Sequence, residues 1–374
     1  MSAITEPTGI GLRATLHQHA LRLHRATPDG PLPGDGAPYP DANDPRRASH
    51  QRRTRDHAGD YARRGQDVAA LLEARLARPL SPAGLRLMAS ALAGLDVPIH
   101  RDRFLAALAA RHDPDRIRTV GRHLVRHGTS RSVATAGLAL LAETATAADI
   151  PLIRTIGLLS HHFGPLAAHA LEQLPDGTPA LLWLADRVSG WGRVYVVEAL
   201  CRLADPRARP WLLRRAADGD VLNGYFAAKV ARVAAVHEAI ADPAADSAVV
   251  DHTGVLLRIM AGCGGMGGTL AHHPQACDLL TAYAEQVARL EPTLDRYISV
   301  RLLAEDLTNG MSATLDWPPD HLDRTRQLYA DLLNRPGWVE RVYELLDDPD
   351  RTVRRRARWA AGRFGIPLPE TSGS

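Results

Sequence analysis

The sequence predicts an all-α fold made of short helices packed side by side, and three observations point there. Ala and Leu are abundant while aromatics make up only 5% of the 374 residues. That composition suits close helix packing better than sheets, which favour aromatic and β-branched side chains. From Gln66 onward, segments the length of a short helix alternate with Pro, Gly or Asp breaks. Small apolar residues also recur at a period of about thirty residues, the mark of a repeat architecture.

The bulk numbers bound the rest. A hydrophobic content of 45% supplies a core, so wholesale disorder is not expected. The net charge of +3 is small for this length, and all 45 basic residues except Lys229 are arginine. Arginine stays protonated near neutral pH, so any positive patch is permanent. Cys201, Cys263 and Cys277 are an odd number and form no paired framework. Met1 to Arg25 has no long apolar run, and no stretch is long enough to span a bilayer. The expectation is a cytoplasmic protein with no membrane partner.

Three stretches follow along the chain. Residues 1–26 read as an N-terminal helical segment, amphipathic from about Ile10 to Arg25. Residues 27–65 read as a flexible linker or basic arm. Thr27 to Asp44 is dense in Pro, Gly and Asp, and Arg46 to Arg64 is rich in arginine. Residues 66–374 read as one helical-repeat domain.

The repeat is clearest near the end of the sequence. Asp348-Pro349-Asp350 leads into VRRRARWAAGRFG, Val353 to Gly365. This closely resembles the second helix of a HEAT repeat, where a Val-Arg pair precedes small residues and a closing Gly. The same frame fits small pairs at Ala139-Leu140, Ala170-Leu171, Ala199-Leu200, Val230-Ala231 and Ala360-Ala361. A further small residue precedes each pair by three positions: Ala136, Ala167, Val196, Ala227 and Ala357. That spacing sets small side chains on one helical face, where a neighbouring helix can approach. The resemblance implies a HEAT-like, armadillo-like α-α superhelix whose concave surface binds a partner.

Candidate binding residues are Trp183, Asp186, Arg187, Trp191, Arg193, Tyr195, Glu198, Asn223 and Tyr225. On a helix, Trp191, Tyr195 and Glu198 share one face, whereas Arg193 lies with Val196, Val197 and Leu200. The frame aligns Arg193 with Arg354, so a structural bond to a neighbouring turn is the plainer expectation for it. Asn223-Gly224-Tyr225 stands at the matching place one unit later. An alternative surface is the basic run Arg118, Arg122 and Arg126, spaced by four on a helix from Asp115 to His127. It suits phosphates, although neutralisation by Asp113 and Asp115 is the plainer reading.

Chemistry is conspicuous by the motifs that fail. His123 and His127 have the spacing of a metal pair but lack the Glu of the zinc-hydrolase motif. Cys263 and Cys277 do not form a CxxC, and His161-His162 and His272-His273 follow no ligand rule, so no metal is expected. Gly262 to Gly268 is not followed by Lys-Ser or Lys-Thr and reads as an inter-helix loop. No GxSxG elbow exists, and Lys229 lies within a repeat helix. The expected function is therefore a non-enzymatic scaffold, without cofactor, holding a protein or peptide partner. The alternative is nucleic-acid binding. Some HEAT-type proteins are DNA alkylpurine glycosylases, which this chain resembles in having Trp183, Asp186, Arg187 and Trp191 close together.

Overall fold

The computed structural model describes residues 14–44 and 61–367. Among these, regular structure is entirely helical, with nineteen α-helices, short 3-10 turns and no strand. No described helix is long and apolar enough to cross a membrane. The chain divides into two compact units, Met1–Leu203 and Ala204–Ser374. The stretch read from sequence as a single repeat domain thus contributes to both.

The first unit holds α1 (Leu16–Ala26), α2 (Tyr61–Leu76), α3 (Pro82–Leu92), α4 (Arg103–Arg111), α5 (Pro114–His127), α6 (Arg131–Thr144), α7 (Ile150–Gly157), α8 (Ser160–Glu172), α9 (Gly177–Ala185) and α10 (Gly190–Leu203). The Asp and Ser breaks start several of these helices. Asp102 accepts the Phe104 and Leu105 amides, Asp113 accepts that of Arg116, and Ser81 that of Gly84. Each satisfies a donor that the first turn leaves open.

Helices alternate between two rows. α3, α5, α7 and α9 pack successively in one, and α2, α4, α6, α8 and α10 in the other, while α1 lies across α5 and α7. α6 is buried on every side from Val133 to Ala142, as its nearly unbroken apolar sequence requires. α5 and α6 touch backbone to backbone. A Cβ on Gly137 would stand 2.7 Å from Leu124 Cβ and 2.8 Å from the Gly121 carbonyl oxygen.

The second unit holds α11 (Arg209–Arg215), α12 (Ala227–Val233), α13 (Val236–Ala241), α14 (Ser247–Gly262), α15 (Ala276–Ala288), α16 (Leu294–Asn309), α17 (His321–Leu333), α18 (Trp338–Glu344) and α19 (Arg351–Phe364). α13, α15 and α17 pack in succession, as do α12, α14 and α16, and α16 also meets α18 and α19. The small residues of the thirty-residue frame lie in α6, α8, α10, α12 and α19, and all are buried. α19 ends at Gly365 in the left-handed region (φ 68°), the closing role the sequence gives that glycine.

One expectation changes here. Thr27 to Asp44, read as a flexible linker, is held down by its own acids. α8 starts at apolar Leu159, and Ser130 before α6 makes no side-chain cap bond. Asp35 supplies the first cap, accepting from the Ser160 amide (2.9 Å), the Ser160 hydroxyl (2.6 Å) and the His161 amide (2.9 Å). Asp41 supplies the second, accepting from the Arg131 amide (2.8 Å) and its Nε (2.9 Å). Gly36 fits between them. Its φ of +78° favours glycine, and a Cβ there would come 2.4 Å from Leu159 Cδ2. Its carbonyl accepts from His19 Nε2 at 2.7 Å, and Leu32 is buried. The basic remainder of that stretch, up to residue 60, lies outside the described residues, as do residues 10–13 of the expected amphipathic segment.

The near-exclusive use of arginine has a structural counterpart. Carbonyls at the ends of neighbouring helices accept from Arg116 (Leu76 O, 2.7 Å), Arg118 (Thr144 O, 2.7 Å), Arg209 (Ala234 O, 2.9 Å), Arg326 (Leu307 O, 3.0 Å) and Arg335 (Ala288 O, 2.9 Å). A helix C-terminus carries unpaired carbonyls and partial negative charge, which a planar five-donor cation satisfies well.

Candidate functional site

The candidates do not assemble as one site. Within the first unit they separate into two groups with different ring partners. Trp183, on α9, lies under two guanidiniums: Arg154 of α7 at 4.2 Å from the ring centroid and Arg187 at 4.4 Å. His24 of α1 meets it edge-on at 5.2 Å. Arg187 also donates to the carbonyls of Pro28 (2.8 Å) and Trp183 (3.0 Å), so it ties the 27–44 segment to α9. Burial, then the nearby Arg187 charge, pulls the Arg154 guanidinium below its usual range. Asp186 is the C-cap residue of α9, its amide donating back into the last turn.

Trp191 instead stacks on Tyr195 of the same helix, α10, with centroids 6.0 Å apart. His100, in the connection before α4, meets Tyr195 edge-on at 5.6 Å. Burial, assisted by the Glu198 carboxylate, raises the Tyr195 hydroxyl above its usual range. Arg193 donates to the Ala185 carbonyl at 3.3 Å, as Arg354 does to that of Pro349 at 2.9 Å. The aligned pair thus bonds a preceding turn in both units, through carbonyls rather than a carboxylate. In the second unit, Asn223 is fully buried and holds its own turn, accepting from the Asp218 amide at 2.8 Å. Tyr225 ends the same short turn and is half-buried.

The basic run on α5 is largely consumed inside the fold. Arg118 bonds Asp115 as well as Thr144 O, and Arg122 grips Asp149 with two bonds, at 2.5 and 3.0 Å. Asp149 is buried. Burial alone would raise its pKa, but Arg122 and the Thr146 amide outweigh that and hold it below the usual carboxylate range. Arg126 remains exposed. The local charge balance expected from Asp115 is present, and the larger share comes from Asp149 on the next hairpin.

A further site lies where α6 and α8 end. A pocket of about 440 Å3 is lined by Arg101, Ala142, Glu143, Ala145, His169, Ala170, Gln173 and Leu174. Arg101 and Glu143 form a two-bonded ion pair at 2.8 and 3.1 Å, and His169 Nε2 stands 4.0 Å from Glu143 Oε1. Beside it, Arg202 and Glu172 form a second such pair, both bonds at 2.8 Å. Burial chiefly lowers the His169 pKa, and the flanking carboxylates and guanidiniums act in opposite directions on it. His169 is therefore neutral at pH 7 and able to donate or accept. No local motif marks this pocket, because its charged partners are 42 and 26 residues apart. The legible hint is Glu143 itself, an acid closing a helix that is otherwise apolar beyond Ser132 and the small Thr135.

No family model, curated protein or solved structure matches the chain.

Proposed function

We propose that this chain is a non-enzymatic binding protein of HEAT-like construction, an α-α superhelix that holds a peptide or protein segment against the pocket between α6 and α8. Two successions of helices, small residues at their contacts, and a thirty-residue frame falling on alternate helices all support the superhelix. The observation that carries the binding reading is the pocket. It presents a guanidinium, a carboxylate, a neutral imidazole and an amide within about 440 Å3. Its charges are already matched in pairs, so it suits a mixed polar surface rather than a net anion.

The alternative, a DNA-binding protein of the alkylpurine-glycosylase kind, has less support at the residues first considered for it. Arg118 and Arg122 are engaged within the chain, and Trp183 and Trp191 face different partners.

Panning a random-peptide phage library on the purified full chain tests the proposal. Enrichment of a peptide family whose affinity falls by about tenfold or more on Glu143→Lys supports it. Circular dichroism checks that the variant stays folded. No enrichment, or binding indifferent to Glu143→Lys, overturns it.

A further inference from the structure

The second unit carries a surface of a different kind. α19 contains Arg351, Arg354, Arg355, Arg356, Arg358 and Arg363 and no acid, and it buries only Ala357, Ala360 and Ala361. Three of these arginines are engaged: Arg354 with carbonyls of the preceding turn, Arg356 with Asp295 at 2.8 Å, and Arg363 with Glu305. Arg351, Arg355 and Arg358 are exposed, and no hydrogen bond or ion pair joins them to another described side chain. They fall on one helical face, with like charges three and four residues apart, an arrangement that costs a few tenths of a kcal/mol per pair.

Neighbouring helices add to the positive character. Arg301 of α16 reaches over the Phe364 ring at 5.2 Å, and its buried Nε has no partner. Arg258 of α14 also has an unpartnered Nε, and burial, then the charge of Arg356, lowers its pKa. Aromatic rings are interleaved with these cations. Trp359 is 48% exposed, one of the few large apolar side chains so open, and meets Phe364 edge-on at 5.9 Å. Phe364 in turn lies beside Arg363 and Tyr297.

We infer that this face binds single-stranded nucleic acid, with Arg355, Arg358 and Arg351 on phosphates and a base stacked on Trp359. Permanent, planar cations suit phosphate oxygens. The exposed indole selects among polyanions: an acidic peptide has no use for it, and a duplex keeps its bases stacked internally. Single strands offer both a charged backbone and open base faces, and proteins that bind them combine a basic track with aromatic platforms.

The test is fluorescence anisotropy of labelled oligothymidine with the full chain across a salt series. Binding at low salt that weakens as salt rises is expected. Arg355→Gln with Arg358→Gln should weaken it and flatten the log–log salt slope by about 1.4, the share of two single-strand phosphate contacts. Trp359→Ala should weaken binding by about tenfold with the slope unchanged, and Trp359→Phe should restore most of it. Thermal melting verifies that each variant folds. Absence of binding at low salt, equal or tighter binding of a duplex or of polyglutamate, or indifference to Trp359→Ala would each overturn the inference.

Discussion

Two helices of this protein carry arginine at almost the same spacing, and they use it differently. On α5, Arg118 and Arg122 turn inward onto the next hairpin, where the Thr144 carbonyl and the buried Asp149 carboxylate receive them. On α19, Arg351, Arg355 and Arg358 point to solvent beside an exposed tryptophan. From sequence, the first looks like the phosphate-contacting stripe and the second like an ordinary repeat helix. What separates them is whether a neighbouring element brings an acceptor. A basic stripe is informative only after its surroundings have been asked for a carboxylate or a helix end.

The comparison can be pressed at its strongest point first. Arg131, like Arg122, is closed by a distant acid, and both partners are nearly buried (side chains 12% and 4% exposed). Asp41→Ala should therefore cost about 3–5 kcal/mol in urea unfolding, because it strands a buried guanidinium. A loss below about 1 kcal/mol would show that the 27–44 segment is not docked as described.

Arg122→Met comes next. It leaves Asp149 with the Thr146 amide and hydroxyl, at 2.9 and 3.2 Å, so the loss should be about 2 kcal/mol rather than the full cost of an orphaned charge. That contribution has a pH signature. The folded pKa of Asp149 is depressed, so its stabilisation is present above the ordinary carboxylate pKa and disappears as pH falls through the folded value. The parent should lose more stability than Arg122→Met on acidification below about pH 4.

Smaller still is the cap on α8. Asp35→Ala should cost about 1–2 kcal/mol and speed limited proteolysis between residues 27 and 44. Unchanged cleavage there would contradict the cap. Burial also holds His17, His100, His123 and His169 of the first unit, and His273 of the second, below the ordinary imidazole pKa. Near pH 6.5 the unfolded chain takes up protons that these folded groups refuse, so stability should fall as pH drops from 7.5 toward 5.5. A melting temperature that rises over that interval would reverse the sign.

Much of the helical plan is legible in the sequence, since Asp-Pro starts, small-residue pairs and Gly365 act within a few residues of where they stand. The docking of residues 27–44 is not, because Pro, Gly and Asp dilute the few anchors that hold it. Asp35 and Asp41 act on amides 125 and 90 residues away. An uncapped α8, starting at Leu159, is the one clue that a cap comes from elsewhere. Of the candidate site, Trp183 with Arg187 follows from helical spacing, whereas Arg154 and the Arg101–Glu143 pair require the folded chain. The open face of α19 stays hidden because its identical arginines divide between engaged and exposed only through tertiary contacts.

The most direct measurement compares two matched double variants by thermal melting. Arg118→Gln with Arg122→Gln should lower the midpoint by about 4 °C or more, whereas Arg355→Gln with Arg358→Gln should leave it within about 2 °C of the parent. Equal losses from the two pairs would contradict the division of arginines into those that hold the fold and those that face a ligand.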